Sequence, residues 1–328
     1  MNDGALLELS EHVDRLITVD FHTRRFVIEI YNDALRKLET SSLTYRAGNS
    51  IVKSVKENDT VLILAGFPTF DNYVAEQDGI VGAAFFARTV AELLNLRTII
   101  FTDKSQADMT TQTLMATGFT VVNKPEEVRH KTQTAVVGVA ENETFEPDPV
   151  IDEFSPSLVL AIERPSRNND GKYMSMKGLD LSYKVAQIDK LIDAAKARKI
   201  LTVGIGDGGN EAGLGLIHDS VYKRHPNGRV IASSVATDEL VFASASNLGA
   251  YGLSAVLSAS YDDLYAFPSR ETLRLMLIRS ALVGLHNGPP LWLDPGTDGI
   301  PLDLEIFILE SLRRMIWERL NPHFPKFY

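Results

Sequence analysis

The chain of 328 residues has no cysteine. This excludes disulfides, thiolate nucleophiles and cysteine-zinc sites, and makes a cytoplasmic protein the default expectation. Long apolar runs are missing as well: no stretch approaches the roughly 20 residues of a membrane span. Met1 to Asp14 is polar and acidic, with neither a signal-peptide core nor the Arg-rich character of a transit peptide, so no membrane partner is expected. Basic charge is in deficit, 33 Lys and Arg against 43 Asp and Glu. Nucleic acid is therefore not an expected partner, because neutralising phosphates needs a basic face. The seven histidines (His12, His22, His130, His218, His225, His286 and His323) are scattered. None forms a His-Glu-x-x-His pair, and with no Gly-x-Ser-x-Gly elbow either, triad catalysis is not expected.

What the chain does have is enough apolar residue, 45%, to bury a substantial core. Short β-branched runs alternate with helical stretches. Strands are expected at Val61–Ala65, Thr98–Thr102, Thr120–Val122, Thr134–Val139, Leu158–Ile162, Ile200–Ile205 and Arg229–Val235. Several are almost continuously apolar, as parallel strands covered on both faces should be. Helices are expected at Gly82–Leu94, Ala107–Ala116, Tyr183–Arg198, Asn247–Ala259, Arg270–Leu285 and Leu302–Leu320, with a mainly helical stretch from Glu11 to Val55. The fold class is α/β: a mostly parallel, doubly wound sheet flanked by helices, with additional N- and C-terminal helices. The expected organisation is a helical flank over residues 1–60 and an α/β domain over 61–328, with a possible lobe boundary near 141–156, where the chain is acidic and Pro-bearing.

The most informative segment is Lys199 to Gly215, where six glycines follow a β-branched run and Asp207, Asn210 and Glu211 sit among them. A tight turn needs one or two glycines; six imply a ligand loop. Gly204, Gly206 and Gly209 fit Gly-x-Gly-x-x-Gly, yet Asp207 and Glu211 would repel a pyrophosphate, and no ribose-binding acid closes the next strand. No nucleotide cofactor is expected. Carboxylate, amide and glycine together suit Mg²⁺ or Mn²⁺.

Other polar residues follow apolar runs. Asp103, Glu163-Arg164-Pro165 and Thr237-Asp238 do so, and converge at one sheet edge if their strands are neighbours. Each acid taken singly is open to a plainer reading as a helix N-cap, and Glu163-Arg164 to one as an internal ion pair. Gly66, Glu76, Asp78 and Gly79 lie in a loop leading to a helix, where glycine frees amides for an anion and the acids suit a cation. Lys172 and Lys177 are candidate anchors for a substrate acid group, although loop lysines are commonly just solvated.

With these residues in view the chain resembles the D-glutamate cyclase-like C-terminal domain family. The resemblance rests on Gly66-Phe67-Pro68, Glu76-x-Asp78-Gly79 with Gly82-Ala83, and Glu163-Arg164-Pro165 through Gly171-x-Tyr173 to Gly178-x-Asp180-x-Ser182. It continues through Gly204-Ile205-Gly206-Asp207-Gly208-Gly209-Asn210-Glu211, Ala236-Thr237-Asp238 with Ser246-Asn247-x-Gly249-Ala250-Tyr251, and Asp298-Gly299-Ile300-Pro301. The chain departs from the family's pattern at Gln77 and Ile80-Val81, at Ser175 and Lys177, and at Asn287, where an Asp before the glycine is usual. The resemblance implies an enzyme that cyclises D-glutamate to 5-oxo-D-proline and water. The resulting expectations are catalytic Asp207, Glu211 and Asp238; substrate contacts from Gly66, Gly79, Glu163, Arg164, Lys177, Gly208, Gly209 and Asn247; and Mg²⁺ or Mn²⁺ held by Glu76, Asp78, Asp207, Asn210, Glu211 and Asp298. The expected partner is a small acidic metabolite, and a homo-oligomer is compatible with the sequence. A Mg²⁺- or Mn²⁺-dependent phosphatase or related hydrolase, and a non-catalytic metabolite- or metal-sensing module, are the alternatives.

Overall fold

The computed structural model describes residues 3–69, 75–288 and 292–321. Its centre is a seven-stranded sheet: β1 (Thr60–Ala65), β2 (Arg97–Asp103), β3 (Thr120–Val122), β4 (Gln133–Val139), β5 (Leu158–Ile162), β6 (Leu201–Gly206) and β7 (Glu239–Phe242). The spatial order is β3-β4-β2-β1-β5-β6-β7, and every pairing is parallel. The chain first builds outward from β1 to β2, β4 and β3, then returns to place β5 against the other side of β1. The strand order reverses between β1 and β5, and such a switch point opens a crevice at the carboxyl ends of the strands.

Twelve helices complete the described chain: α1 (Asp3–Ile17), α2 (Phe26–Lys37), α3 (Leu43–Ser54), α4 (Ile80–Leu94), α5 (Ala107–Met115), α6 (Pro147–Phe154), α7 (Lys190–Ala197), α8 (His218–Arg224), α9 (Gly228–Ile231), α10 (Ser246–Ser260), α11 (Arg270–Leu282) and α12 (Leu302–Leu320). Between α11 and α12 a short antiparallel hairpin forms from β8 (Gly296–Thr297) and β9 (Ile300–Pro301). Among the described residues no helix is long and apolar enough to cross a membrane.

Strand side chains alternate between two covered faces, which is why these strands read as unbroken apolar runs. Val61, Ile63, Leu160 and Ile205 meet α1, α4, α10 and α12 on one face; Leu62, Leu64, Val159 and Ala161 meet α6 and α7 on the other. Helix α10 is buried along its whole length, and its small residues are what allow this. A Cβ at Gly249 would come within 2.6 Å of Ile205, and one at Gly252 within 2.9 Å of Ile17.

The helical stretch expected from Glu11 is three helices, because the backbone turns at Thr18 to Arg25. Helix α2 packs Phe26, Val27, Ile30 and Ala34 against Val221 of α8 and Leu240 and Phe242 of β7. The segment expected as a strand at Arg229–Val235 is instead α9 and a connection; the strand comes later, at Glu239–Phe242. Its β-branched residues Val230, Ile231 and Val235 mimic a strand, but Val230 is exposed, so the pattern had no second covered face.

An acidic candidate active site at the switch point

The carboxyl ends of β1, β5 and β6 lie level, with Ala65 beside Ile162 and Ile162 beside Ile205. The loops that leave them therefore meet. Asp78 comes from the loop after β1, Glu163 directly follows β5, and Asp207 directly follows β6. One carboxylate oxygen from each lies within 4.8 Å of the others, and all three residues are buried. Glu76 and Asp298 stand half-buried beside them. The charge of Asp207 raises the proton affinity of Glu76, Asp78 and Asp298.

Capping holds these groups in place. The carboxylate of Asp78 accepts from the amides of Ser246 (2.9 Å) and Asn247 (2.6 Å), so it caps α10 rather than its own helix. Asn247 reciprocates: its Oδ1 accepts from the amides of Gly79 (2.9 Å) and Gly82 (2.6 Å) at the start of α4. Two positive helix ends thus point at one acidic cluster. Glu163 adopts a left-handed backbone, φ 45°, and accepts from the Ser246 hydroxyl at 2.6 Å. Asn247 Nδ2 also donates to Thr297 at 2.9 Å, tying the hairpin to this pair of caps.

The glycine loop closes on itself. Glu211 accepts from the amides of Gly208 (3.0 Å) and Gly209 (2.8 Å), which makes it a clasp of the loop and takes up the amides expected to face a substrate. Asn210 donates to the Met174 carbonyl at 2.7 Å, and its Oδ1 is buried without a hydrogen-bond partner.

Other expected residues lie apart. Arg164 is fully buried and forms a two-pronged pair with Asp103, both contacts 2.7 Å, while also donating to the carbonyls of Gly66 and Ala186. It is an internal clamp below the site, and Gly66 is part of that clamp. Asp238 sits at the opposite, amino edge of the sheet, accepting from the amide and hydroxyl of Thr202 at the start of β6. The misplaced strand is the cause: Asp238 precedes β7 instead of following it. Lys177 is exposed in the turn between Ser175 and Leu179. Asn287 accepts from the Gly299 amide at 2.8 Å and so pins the hairpin turn that carries Asp298.

The cation that does touch the cluster is Arg24, in the loop between α1 and α2. Its Nη1 lies 3.1 Å from Asp207 Oδ2. No sequence motif marks it.

Burial is the first cause of the raised proton affinities here, and mutual repulsion the second. Glu163 is held well above the usual carboxylate range by burial, then by Glu211, Asp207 and Asp78. Asp78 is likewise raised by burial and Asp207, against the pull of the Ser246 and Asn247 amides. Glu76 is pushed up to about 7 and Glu211 to about 8 by burial and Asp207. So many buried acids beside one arginine are stable only with protons or a further cation among them.

The family described as D-glutamate cyclase-like, C-terminal matches residues 13–313. The human protein D-glutamate cyclase, mitochondrial, is 32% identical over 218 residues. That alignment takes in 63% of this chain and 34% of the relative, so the chain spans about a third of that protein's length.

Proposed function

From the premise that the chain belongs to the D-glutamate cyclase-like, C-terminal family, we propose that it is an enzyme that converts D-glutamate to 5-oxo-D-proline and water. The observation that carries this reading is the convergence of Asp78, Glu163 and Asp207 at the switch point, next to a single bound-in guanidinium. An amino dicarboxylate brings an ammonium that suits the carboxylates and acid groups that suit Arg24 or a metal.

The donor set fits Mg²⁺ or Mn²⁺. It offers hard oxygen atoms close enough to share one ion, burial that makes their mutual repulsion expensive, and an unpartnered amide oxygen on Asn210 nearby. Asp78, Glu163 and Asp207 are the residues proposed to hold the ion, which would polarise the side-chain carboxyl of the substrate. In the reaction the ammonium first loses one proton, the amine nitrogen bonds to that carboxyl carbon and gives up a second, and the C–O bond breaks as the departing oxygen takes up both protons and leaves as water. Glu76, half-buried beside these three carboxylates, is assigned to accept the ammonium proton as general base. Glu211 is set aside for this role because both of its oxygens are engaged by loop amides. Action in the cytoplasm belongs to the same proposal.

The test is product formation by one purified preparation offered D-glutamate or a phosphate monoester, each with Mn²⁺ and with chelator. The expected result is 5-oxoproline release that Glu76→Gln lowers by about 10²-fold or more in kcat. Chelator-sensitive phosphate release without 5-oxoproline would replace the cyclase by a hydrolase; tight D-glutamate binding without turnover of either substrate would replace it by a sensing module.

A further inference from the structure

We propose that Arg24 is the anchor for the non-reacting carboxylate of the substrate, and so the residue that makes an acidic site selective for an acid. The inference rests on the reading of the site as one for an amino dicarboxylate.

Three observations point to it. First, the backbone is bent out of its ordinary range to deliver this side chain. Thr23 and Arg25 flank Arg24 with φ of 53° and 60°, positive values that side-chain-bearing residues seldom adopt and a β-branched threonine adopts only under constraint. Such strain persists where the surroundings hold it, and is commonly found at functional sites. Here the surroundings are plain: the Arg25 amide donates to the Asp20 carboxylate at 2.7 Å, Phe26 meets the His225 ring with centroids 4.6 Å apart, and a Cβ at Gly299, next to Asp298, would stand 3.2 Å from the His22 ring.

Second, the guanidinium is not used up. A guanidinium has five N–H donors in a rigid fork. Nη1 reaches Asp207 and Nη2 the Ser244 carbonyl at 2.5 Å, while Nε is buried with no hydrogen-bond partner. It forms a 4.0 Å ion pair with Asp20 Oδ1, which is likewise buried and has no hydrogen-bond partner. Each Nη carries two hydrogens and makes one of these hydrogen bonds, so the second hydrogen of each remains for a planar acceptor.

Third, among the described residues the other charges set around the cluster are negative. Asp78, Glu163 and Asp298 repel an anion, and the lysine expected for this task, Lys177, is exposed in its turn. Arg24 keeps 16% of its side-chain surface exposed, so it borders both the cluster and the outside.

The decisive measurement is equilibrium binding to the full chain in Mn²⁺, comparing D-glutamate with its α-carboxamide, which keeps the shape but not the charge. Wild type should prefer the acid by at least about 30-fold, on the scale of a charge-assisted pair. Arg24→Gln should abolish that preference by weakening acid binding while leaving amide binding alone, and Arg24→Lys should retain part of it. Thermal melts and Mn²⁺ titration of the same preparations establish that each variant is folded with its acids in place. Should Arg24→Gln misfold, a preference in folded Arg24→Lys that is clearly smaller than in wild type carries the test. Arg24→Gln that still prefers the acid, Arg24→Lys equal to wild type when Arg24→Gln does not fold, or a wild type that binds neither ligand, overturns the anchor. Release of 5-oxoproline is read separately. Arg24-dependent preference without product would sink the cyclase reading and leave the anchor standing; product formed with no dependence on Arg24 would do the reverse.

Discussion

Gly79 has no room for a methyl group. A Cβ there would stand 2.6 Å from the Cβ of Glu163 and 2.9 Å from the carbonyl of Ile162, on a backbone with φ of 81° that disfavours any side chain. Gly79→Ala should therefore cost roughly 2–4 kcal/mol, clash and backbone strain together, in urea unfolding. A loss under 1 kcal/mol would mean that the loop yields easily and that Glu163 is not fixed by it. Asn247 invites a second test. Its Oδ1 is the acceptor for two buried amides, so Asn247→Ala should cost about 2 kcal/mol, whereas Asn247→Asp keeps the cap but adds a charge beside Asp78. The aspartate variant should be near wild type at pH 5 and clearly less stable at pH 8; equal stability at both would place position 247 outside the field of the cluster. Both residues stand out in the sequence as ligand contacts, since composition shows that a glycine or amide is placed with care but not which neighbour requires it.

Among elements, the clearest device is the clamp between the ends of β2 and β5. Arg164 and Asp103 are each fully buried, and breaking such a pair from one side strands a charge in the core. Arg164→Met should cost about 3–5 kcal/mol, and adding Asp103→Leu should recover much of it. Failure of the second change to rescue would assign the cost to the carbonyls of Gly66 and Ala186 instead. Much of the sheet was legible in the sequence: β1, β2, β5 and β6 read from apolar runs covered on both faces, and β3 and β4 from their β-branched residues although they are less buried, while α4, α5, α10, α11 and α12 read from length and pattern. What failed was local. At Arg229–Val235 β-branched residues sit in a helical turn, and that shift carried Asp238 to the wrong edge of the sheet. The break at Thr18 to Arg25 left no mark because neither glycine nor proline makes it; a strained threonine and arginine do. Arg24 was hidden for the same reason, and its partner Asp207 lies 183 residues away.

Across the whole molecule the acidic site should couple to stability. An ion that binds only the folded chain adds RT ln(1 + [L]/Kd), about 2.7 kcal/mol at 100 times Kd. Mn²⁺ should raise the melting temperature of wild type, and Asp207→Asn should blunt the rise; equal shifts in both would remove Asp207 from the ion's ligands. A second coupling lies in Glu305 of α12, outside the set of carboxylates proposed to hold the ion. It is fully buried, accepts from the Tyr251 hydroxyl at 3.0 Å, and burial pushes its pKa to about 7 in spite of help from Thr297 and Tyr251. The unfolded chain releases that proton near pH 4.5, its ordinary value. Between about 4.5 and 7 the folded state therefore binds more protons than the unfolded one, and stability falls as pH rises. At about 1.4 kcal/mol per unit, the loss across this window is on the order of 3 kcal/mol, complete by about pH 8. Glu305→Gln keeps an acceptor for Tyr251 and carries no charge, so its stability profile should be flatter than wild type by that amount. Parallel profiles from pH 5 to 8 would mean that Glu305 titrates in the folded protein as it does in the unfolded chain, and that the pH response belongs to the carboxylates at the switch point.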